Sequence, residues 1–265
     1  MAFKLRFLLT SRCTARCAYC HNEGQDKQGA ALLKFETIDR ILVTLQASGC
    51  VPDEIILSGG EPTLHKEVGE IARRCRASGA HVSMDTHGGH PTLLQPALPH
   101  LDELKVHVDS FDAARQRASM GIEIDQVLAS VRMAQRSGLL LRLNHPLTCA
   151  AQTRAFVAQA RRLGVDCKII ELFSLDRLAA APPTVAWREH GYRQDNQGHW
   201  LHANGTHRLF TKRCDAAHNR QDDSLFISAD GIRRSVDGVI IGQAENFSMR
   251  MVRQGAATRL VATCA

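Results

Sequence analysis

Cys13, Cys17 and Cys20 stand in the spacing C-x3-C-x2-C, directly after the apolar segment that begins the chain. Thiolates in such a group select zinc, copper(I) or an iron–sulfur cluster. A structural zinc site closes with four protein ligands, and His21 is the candidate for the fourth. Its adjacency to Cys20 makes it awkward for both side chains to reach one metal. A cubane held by three thiolates leaves one iron open to an outside ligand, unlike the usual four-cysteine site. Spacing alone leaves cluster, zinc and coincidence open. A second motif, Ser58-Gly59-Gly60-Glu61-Pro62, closes another strand-like segment. Its glycines allow a ligand close to the backbone and its glutamate offers an acceptor, but alone it reads equally well as a tight strand-to-helix turn.

The elements that must position these motifs alternate. Strands are expected over 3–10, 53–58, 81–85, 103–109, 139–144 and 166–173, all short and rich in Ile, Val, Leu or Phe. Helical periodicity fills 35–48, 66–78, 124–137 and 152–163, with a weaker, proline-interrupted stretch over 93–101. Gly49, Gly79, Gly138 and Gly164 follow the four strong helices, where a left-handed cap is expected. Parallel strands need crossovers, so six β–α units imply a parallel sheet with helices on its outer face. Six are too few for a closed eight-stranded barrel and enough for an open one. The expected fold is α/β: a partial (β/α)6 TIM-like barrel over 1–175. A C-terminal cap over 176–265 carries a β-hairpin and a helix. Residues 179–183 read as a linker, 225–239 as the hairpin turning at Asp230-Gly231, and 247–262 as the last helix.

Composition bounds the rest. The chain has 265 residues, 44% hydrophobic and 23% charged, with a formal net charge of +6. That excludes disordered, collagenous and coiled-coil classes. No apolar run reaches the roughly 18 to 20 residues of a membrane span, and the start does not read as a secretory signal. The reading is a cytoplasmic protein with no membrane partner. The nine cysteines are then thiols rather than disulfides, and the odd number cannot pair within one chain. The charge is too diffuse to argue for nucleic acid and suits an anionic substrate.

Taken together, the cysteine triplet and the Gly-Gly-Glu segment resemble the radical S-adenosylmethionine superfamily. The resemblance implies one [4Fe–4S] cluster on Cys13, Cys17 and Cys20, with S-adenosylmethionine chelating the open iron. It implies that Gly59, Gly60, Glu61 and Pro62 meet the methionyl end, and that Tyr19 lies near the adenine. The chemistry implied is reductive cleavage of S-adenosylmethionine to a 5′-deoxyadenosyl radical that abstracts hydrogen from substrate. An external one-electron donor such as flavodoxin or ferredoxin goes with it.

Within the superfamily the chain is most similar to the GTP 3′,8-cyclase branch of molybdenum-cofactor synthesis. The likeness runs from Leu5 to about Asp237 and is best before Phe173. It places Arg6 and Arg142 where the cyclase grips substrate phosphates. The departures count as much. Glu54 and Ile56 stand where the cyclase has basic residues. Ser235-Val236 replaces a Pro-Cys, and Cys214 with Cys264 cannot make a second cluster site. One cluster is expected, and a small anionic metabolite other than GTP: a nucleotide, sugar or amino-acid derivative. The stretches 19–22 (YCHN) and 85–88 (DTHG) also resemble activases of glycyl-radical enzymes. That activity, or peptide modification, is the alternative.

Lesser candidates sit at strand ends. Asp85, Thr86, His107, Asp109 and Asn144 are expected at the barrel mouth, where relatives contact the cofactor. The cyclase pattern has a serine matching His107. Glu171, if buried, needs a partner. Cys50, Cys75, Cys149 and Cys167 read as structural thiols. The histidines His190, His199, His202, His207 and His218 lack the HxxxH spacing of a zinc enzyme and read as part of a polar cap. Arg233-Arg234 reads as an anion contact or a solvated edge.

Overall fold

The computed structural model describes residues 3–20, 25, 31–171, 183–213, 224–234 and 240–251. His21, Cys214, His218, Ser235-Val236, Cys264 and most of the expected last helix lie outside the described residues.

The β–α alternation is realised. Strands β1 (Lys4–Leu8), β2 (Glu54–Ser58), β3 (His81–Thr86), β4 (Glu103–His107), β5 (Leu140–Pro146) and β6 (Asp166–Glu171) lie side by side in that order, each pair parallel. Helices α1 (Phe35–Ala47), α2 (Val68–Arg76), α3 (Pro91–Leu94), α4 (Ala113–Met120), α5 (Ile124–Arg136) and α6 (Ala150–Arg162) make the crossovers. Helix α1 buries Ile38, Ile41, Leu42 and Leu45, the spacing of one helical face. That stripe shares a core with Leu5 and Phe7 of β1, both without exposure. Each such side chain contributes about 1.5–3 kcal/mol of burial. The glycines expected as caps all have positive φ: 63° at Gly49, 84° at Gly79, 70° at Gly138 and 67° at Gly164.

Since alternate strand residues face opposite sides, Leu5 and Phe7 toward the helices leave Lys4 and Arg6 toward the lumen. The same face carries Glu54, Ser83, Asp85, Glu103, Lys105 and Arg142, which bond one another across the strands. At the amino-terminal end, Glu54 holds Lys4 at 2.9 Å and Lys105 at 2.7 Å. Glu103 takes Lys105 at 3.6 Å and Arg142 at 3.2 Å. This ladder fills the lumen floor.

Two features were not legible in advance. Helix α4 has no apolar stripe, burying only Gln116 and Met120; the Asp112 side chain caps it by accepting from Arg115 N–H at 2.9 Å. The stretch expected only as polar cap is a meander of β7 (Tyr192–Gln194), β8 (Trp200–His202) and β9 (Arg208–Arg213), with β9 parallel to β6. The hairpin is present as β10 (Ser224–Ser228) and β11 (Gly231–Arg234), followed by β12 (Ile240–Gly242). Strand β10 lies parallel to β1. The described part of the extension therefore lengthens the sheet at both edges. From β10 through β1–β6 to β9 every neighbouring pair is parallel, yet β9 and β10 do not pair and the barrel stays open.

Candidate active site

The cysteine loop leaves β1 at the carboxyl end of the parallel strands, where such sheets place their sites. Cys13 is exposed and Cys17 and Cys20 are half-buried, none of them in a disulfide. Although the Cys13 residue is exposed, loss of hydration at its sulfur pushes the thiol up to about 12, with the charges of Glu61, Cys17 and Cys20 adding to it. Burial also raises Cys17, to about 11, against the opposing effect of the nearby Tyr19 hydroxyl. Mutual influence of this kind requires the thiols to be near neighbours, and a cation bound among them would displace their protons.

The Gly-Gly-Glu segment meets this loop backbone to backbone. Gly60 N–H donates to Thr10 O at 2.7 Å and Glu61 N–H to Arg12 O at 2.8 Å. A Cβ on Gly60 would lie 2.2 Å from Arg12 O, and one on Gly59 2.6 Å from Thr10 O. The close approach read from these glycines is thus made, in the first place, by the chain itself. The Glu61 carboxylate has no exposure. Its Oε1 accepts from Thr63 N–H at 3.1 Å, Thr63 Oγ1 at 2.7 Å and Thr86 Oγ1 at 2.7 Å, and its Oε2 from His87 N–H at 2.9 Å. Glu61 and Thr86 thereby spend their side chains joining the β2 and β3 ends, and Pro62 is buried at the start of the 3-10 turn Pro62–Leu64. What the segment offers a ligand is its backbone.

Further round the rim, Arg6 Nη1 donates to Asp85 Oδ2 at 2.6 Å. Burial alone would raise the Asp85 carboxyl, but Arg6, Lys105 and Lys168 hold it below its ordinary value. Tyr19 reaches β4: its hydroxyl is 2.6 Å from His107 Nε2 and donates to Asp109, with His107 and Asp109 3.1 Å apart. Asn144 is the register neighbour of His107. Among the described residues, Asn144 Oδ1 and Asp85 Oδ1 are buried acceptors with no hydrogen-bond partner. Arg142 pairs with Glu103 and lies over the Phe210 ring at 4.2 Å.

Several neighbours escaped the sequence reading. His87 and His90 meet at the Thr14 hydroxyl, at 3.1 and 2.8 Å. His87 Nδ1 accepts from Gly89 N–H, so Nε2 carries the proton toward Thr14 and Glu61, and burial lowers the ring's pKa. Lys168, inside β6, lies beside Asn144 in register; burial, then Lys212, bring its ammonium down to about 8. A lysine amid the apolar run CKII was the available signal. In the meander, His207 is buried between Tyr192 Oη at 2.9 Å and the Cys167 thiol, and Arg161 holds His202. These partners make His202 and His207 part of the packing. Glu171 is half-buried at the end of β6.

Three thiols at C-x3-C-x2-C spacing on one loop suit a cubane with one open iron. The two orphaned acceptors on the ends of β3 and β5 suit a donor-rich ligand. The chain belongs to the radical SAM superfamily, whose family model matches residues 7–146, more than half of it. It is accordingly an enzyme whose cofactors are a [4Fe–4S] cluster and S-adenosylmethionine. Among curated proteins it is similar to a probable GTP 3′,8-cyclase of Pyrococcus abyssi, 33% identical over 143 residues, 53% of this chain and 46% of that one. The GTP 3′,8-cyclase of Synechococcus elongatus is 29% identical over 214 residues, 71% of this chain and 63% of that one. The chain spans about half the length of the first of these relatives. Streptococcus suis SuiB bound to precursor peptide SuiA shares the fold, with TM-score 0.72 and 12% identity over 95% of this chain and 64% of that one. So does native anSMEcpe with bound AdoMet, TM-score 0.65, 10% identity, 98% and 82% covered. No helix among the described residues is long and apolar enough to cross a membrane.

Proposed function

We propose that the chain abstracts hydrogen from a small anionic metabolite held in the barrel lumen, and that this metabolite is not GTP. The observation that carries the reading is Lys168. Among the described residues it has no carboxylate within ion-pair distance; the like charges of Lys212, Lys105 and Arg142 act on it, opposed by the Asp85 carboxylate. A half-buried ammonium on which cations outweigh the one carboxylate suits a bound anion. Arg6 and Arg142, the other expected substrate contacts, lie on the same lumen face. Against GTP stand Glu54 and Ile56, where the cyclase pattern has basic residues. Glu54 goes further and neutralises Lys4 and Lys105.

The bound cofactors supply a 5′-deoxyadenosyl radical generated by one-electron reduction, with an external donor such as flavodoxin or ferredoxin. Cys13, Cys17 and Cys20 hold the cluster. The backbone of Gly59–Pro62, with Asp85 and Asn144 as acceptors and Tyr19 alongside, receives S-adenosylmethionine. Lys168 and Arg142 orient the substrate anion, and the 176–265 extension caps the mouth formed by 1–175 and limits access of water.

The test is anaerobic reconstitution followed by assay of 5′-deoxyadenosine. About four iron and four sulfide per chain are expected. Cys13→Ala, Cys17→Ala and Cys20→Ala each abolish cleavage, while Cys214→Ala keeps the cluster. Deuterium moves into 5′-deoxyadenosine from a labelled anionic metabolite. Zinc, or eight iron, overturns the single-cluster site. Transfer from a peptide or from a glycyl-radical partner instead of any small metabolite overturns the substrate class.

A further inference from the structure

The cysteine loop is anchored at the residues between its cysteines, and the two anchors around Cys17 lead to the same place. Arg16 N–H donates to Met120 O at 2.8 Å. Tyr19 reaches His107 and Asp109, and the backbone N–H groups of Asp109 and Ser110 donate to Gln116 Oε1 at 3.1 and 2.9 Å. Gln116, fully buried, donates onward to Met120 Sδ at 3.1 Å. The path from Tyr19 through β4 and α4 thus returns to Arg16, closing a circuit with Cys17 inside it.

Proton counting fixes the roles in this circuit. Asp109 is an acceptor only, since the His107 and Tyr19 bonds outweigh burial and keep its carboxyl ionised. Tyrosine has one proton, which goes to Asp109. His107 Nε2 then faces two oxygens and must be the N–H. The three groups bond one another, so Nε2 of the imidazole at the position expected to touch the cofactor is turned to the protein instead.

We propose that Tyr19, braced by His107 and Asp109, is a positioning residue for the iron–sulfur cluster, fixing the Cys17–Cys20 arc of its ligand loop. The proposal rests on the cluster reading of the cysteines and assigns His107 a task within it. Outer hydrogen bonds of this kind orient metal ligands, and those that reach the sulfurs set cluster potential.

The experiment compares wild type, Tyr19→Phe, His107→Ala and Tyr192→Phe. The last is the control: it removes a tyrosine–histidine bond of 2.9 Å in the remote meander. Iron loss to a chelator, the cluster's midpoint potential and the melting temperature are read for each reconstituted chain. Tyr19→Phe is expected to keep its thiols yet release iron about tenfold faster, with a more negative potential. His107→Ala shifts both in the same direction. Tyr192→Phe lowers the melting temperature and moves neither. Wild-type iron loss and potential in Tyr19→Phe, or equal changes in Tyr192→Phe, overturn the clasp alone. A wild-type chain that takes up no cluster overturns the cluster reading beneath it.

Discussion

Arg6 Nη1 and Asp85 Oδ2 stand 2.6 Å apart, one on β1 and the other on β3, with β2 between them. A residue expected to grip substrate and one expected to meet the cofactor are thus each other's counter-ion, and the pair ties the two halves of the site. Asp85→Asn would remove this charged hydrogen bond from a partly buried Arg6 and cost about 2 kcal/mol, measured by denaturant unfolding. The folded carboxyl titrates below its unfolded value, so its contribution is present above about pH 4 and lost as pH falls through the folded value. Asp85→Asn should flatten that acid limb.

Glu61 should behave as scaffold. Glu61→Gln turns an amide donor toward groups that are themselves donors, and should cost about 2–3 kcal/mol in unfolding experiments. Thr86→Val removes one donor to Glu61 Oε1 and should cost about 1 kcal/mol. Equal stability of Glu61→Gln and wild type would mean that the carboxylate is not the joint between β2 and β3.

Gly60→Ala should act on the cysteine loop, since the added carbon would sit 2.2 Å from Arg12 O. The loop must move away from the β2 end. Iron uptake should fall severalfold while far-ultraviolet circular dichroism still reports a folded barrel. Normal uptake would show that the contact relaxes without displacing the cysteines.

Lys168 makes two pH signatures. Its folded pKa, about 8, is below the unfolded value near 10.4. Between those values the unfolded chain binds more protons, so stability rises with pH through that window. An anionic substrate needs the ammonium, so its KM should rise about tenfold once the pH passes roughly 8. Lys168→Met should erase both slopes. A KM slope that survives the substitution would move the anion contact to another residue.

Much of the frame was legible in the chain because burial writes itself as period. The apolar residues of 3–10 and the stripe Ile38, Ile41, Leu42, Leu45 follow from the faces they bury, and the caps follow from glycine. Helix α4 was missed because AARQRASM has no such face; what it buries is Gln116, for hydrogen bonds. The three-residue strands β7 and β8 are too short to show a period, and the sequence places no strand on a particular sheet edge.

By itself the sequence determined which groups this protein can bring to a reaction: three thiols on one loop, a glycine pair, and charged residues spaced along apolar strands. Only the tertiary structure decided which of those groups remain available. Arg6 and Asp85 are 79 positions apart, and Tyr19 and Asp109 are 90 apart. Ion pairs and hydrogen bonds act over a few ångströms, so sequence distance carries no information about them. Folding gave Glu61 to Thr86, His107 to Tyr19 and Glu54 to Lys105, and it left Lys168 without a carboxylate at ion-pair distance among the described residues.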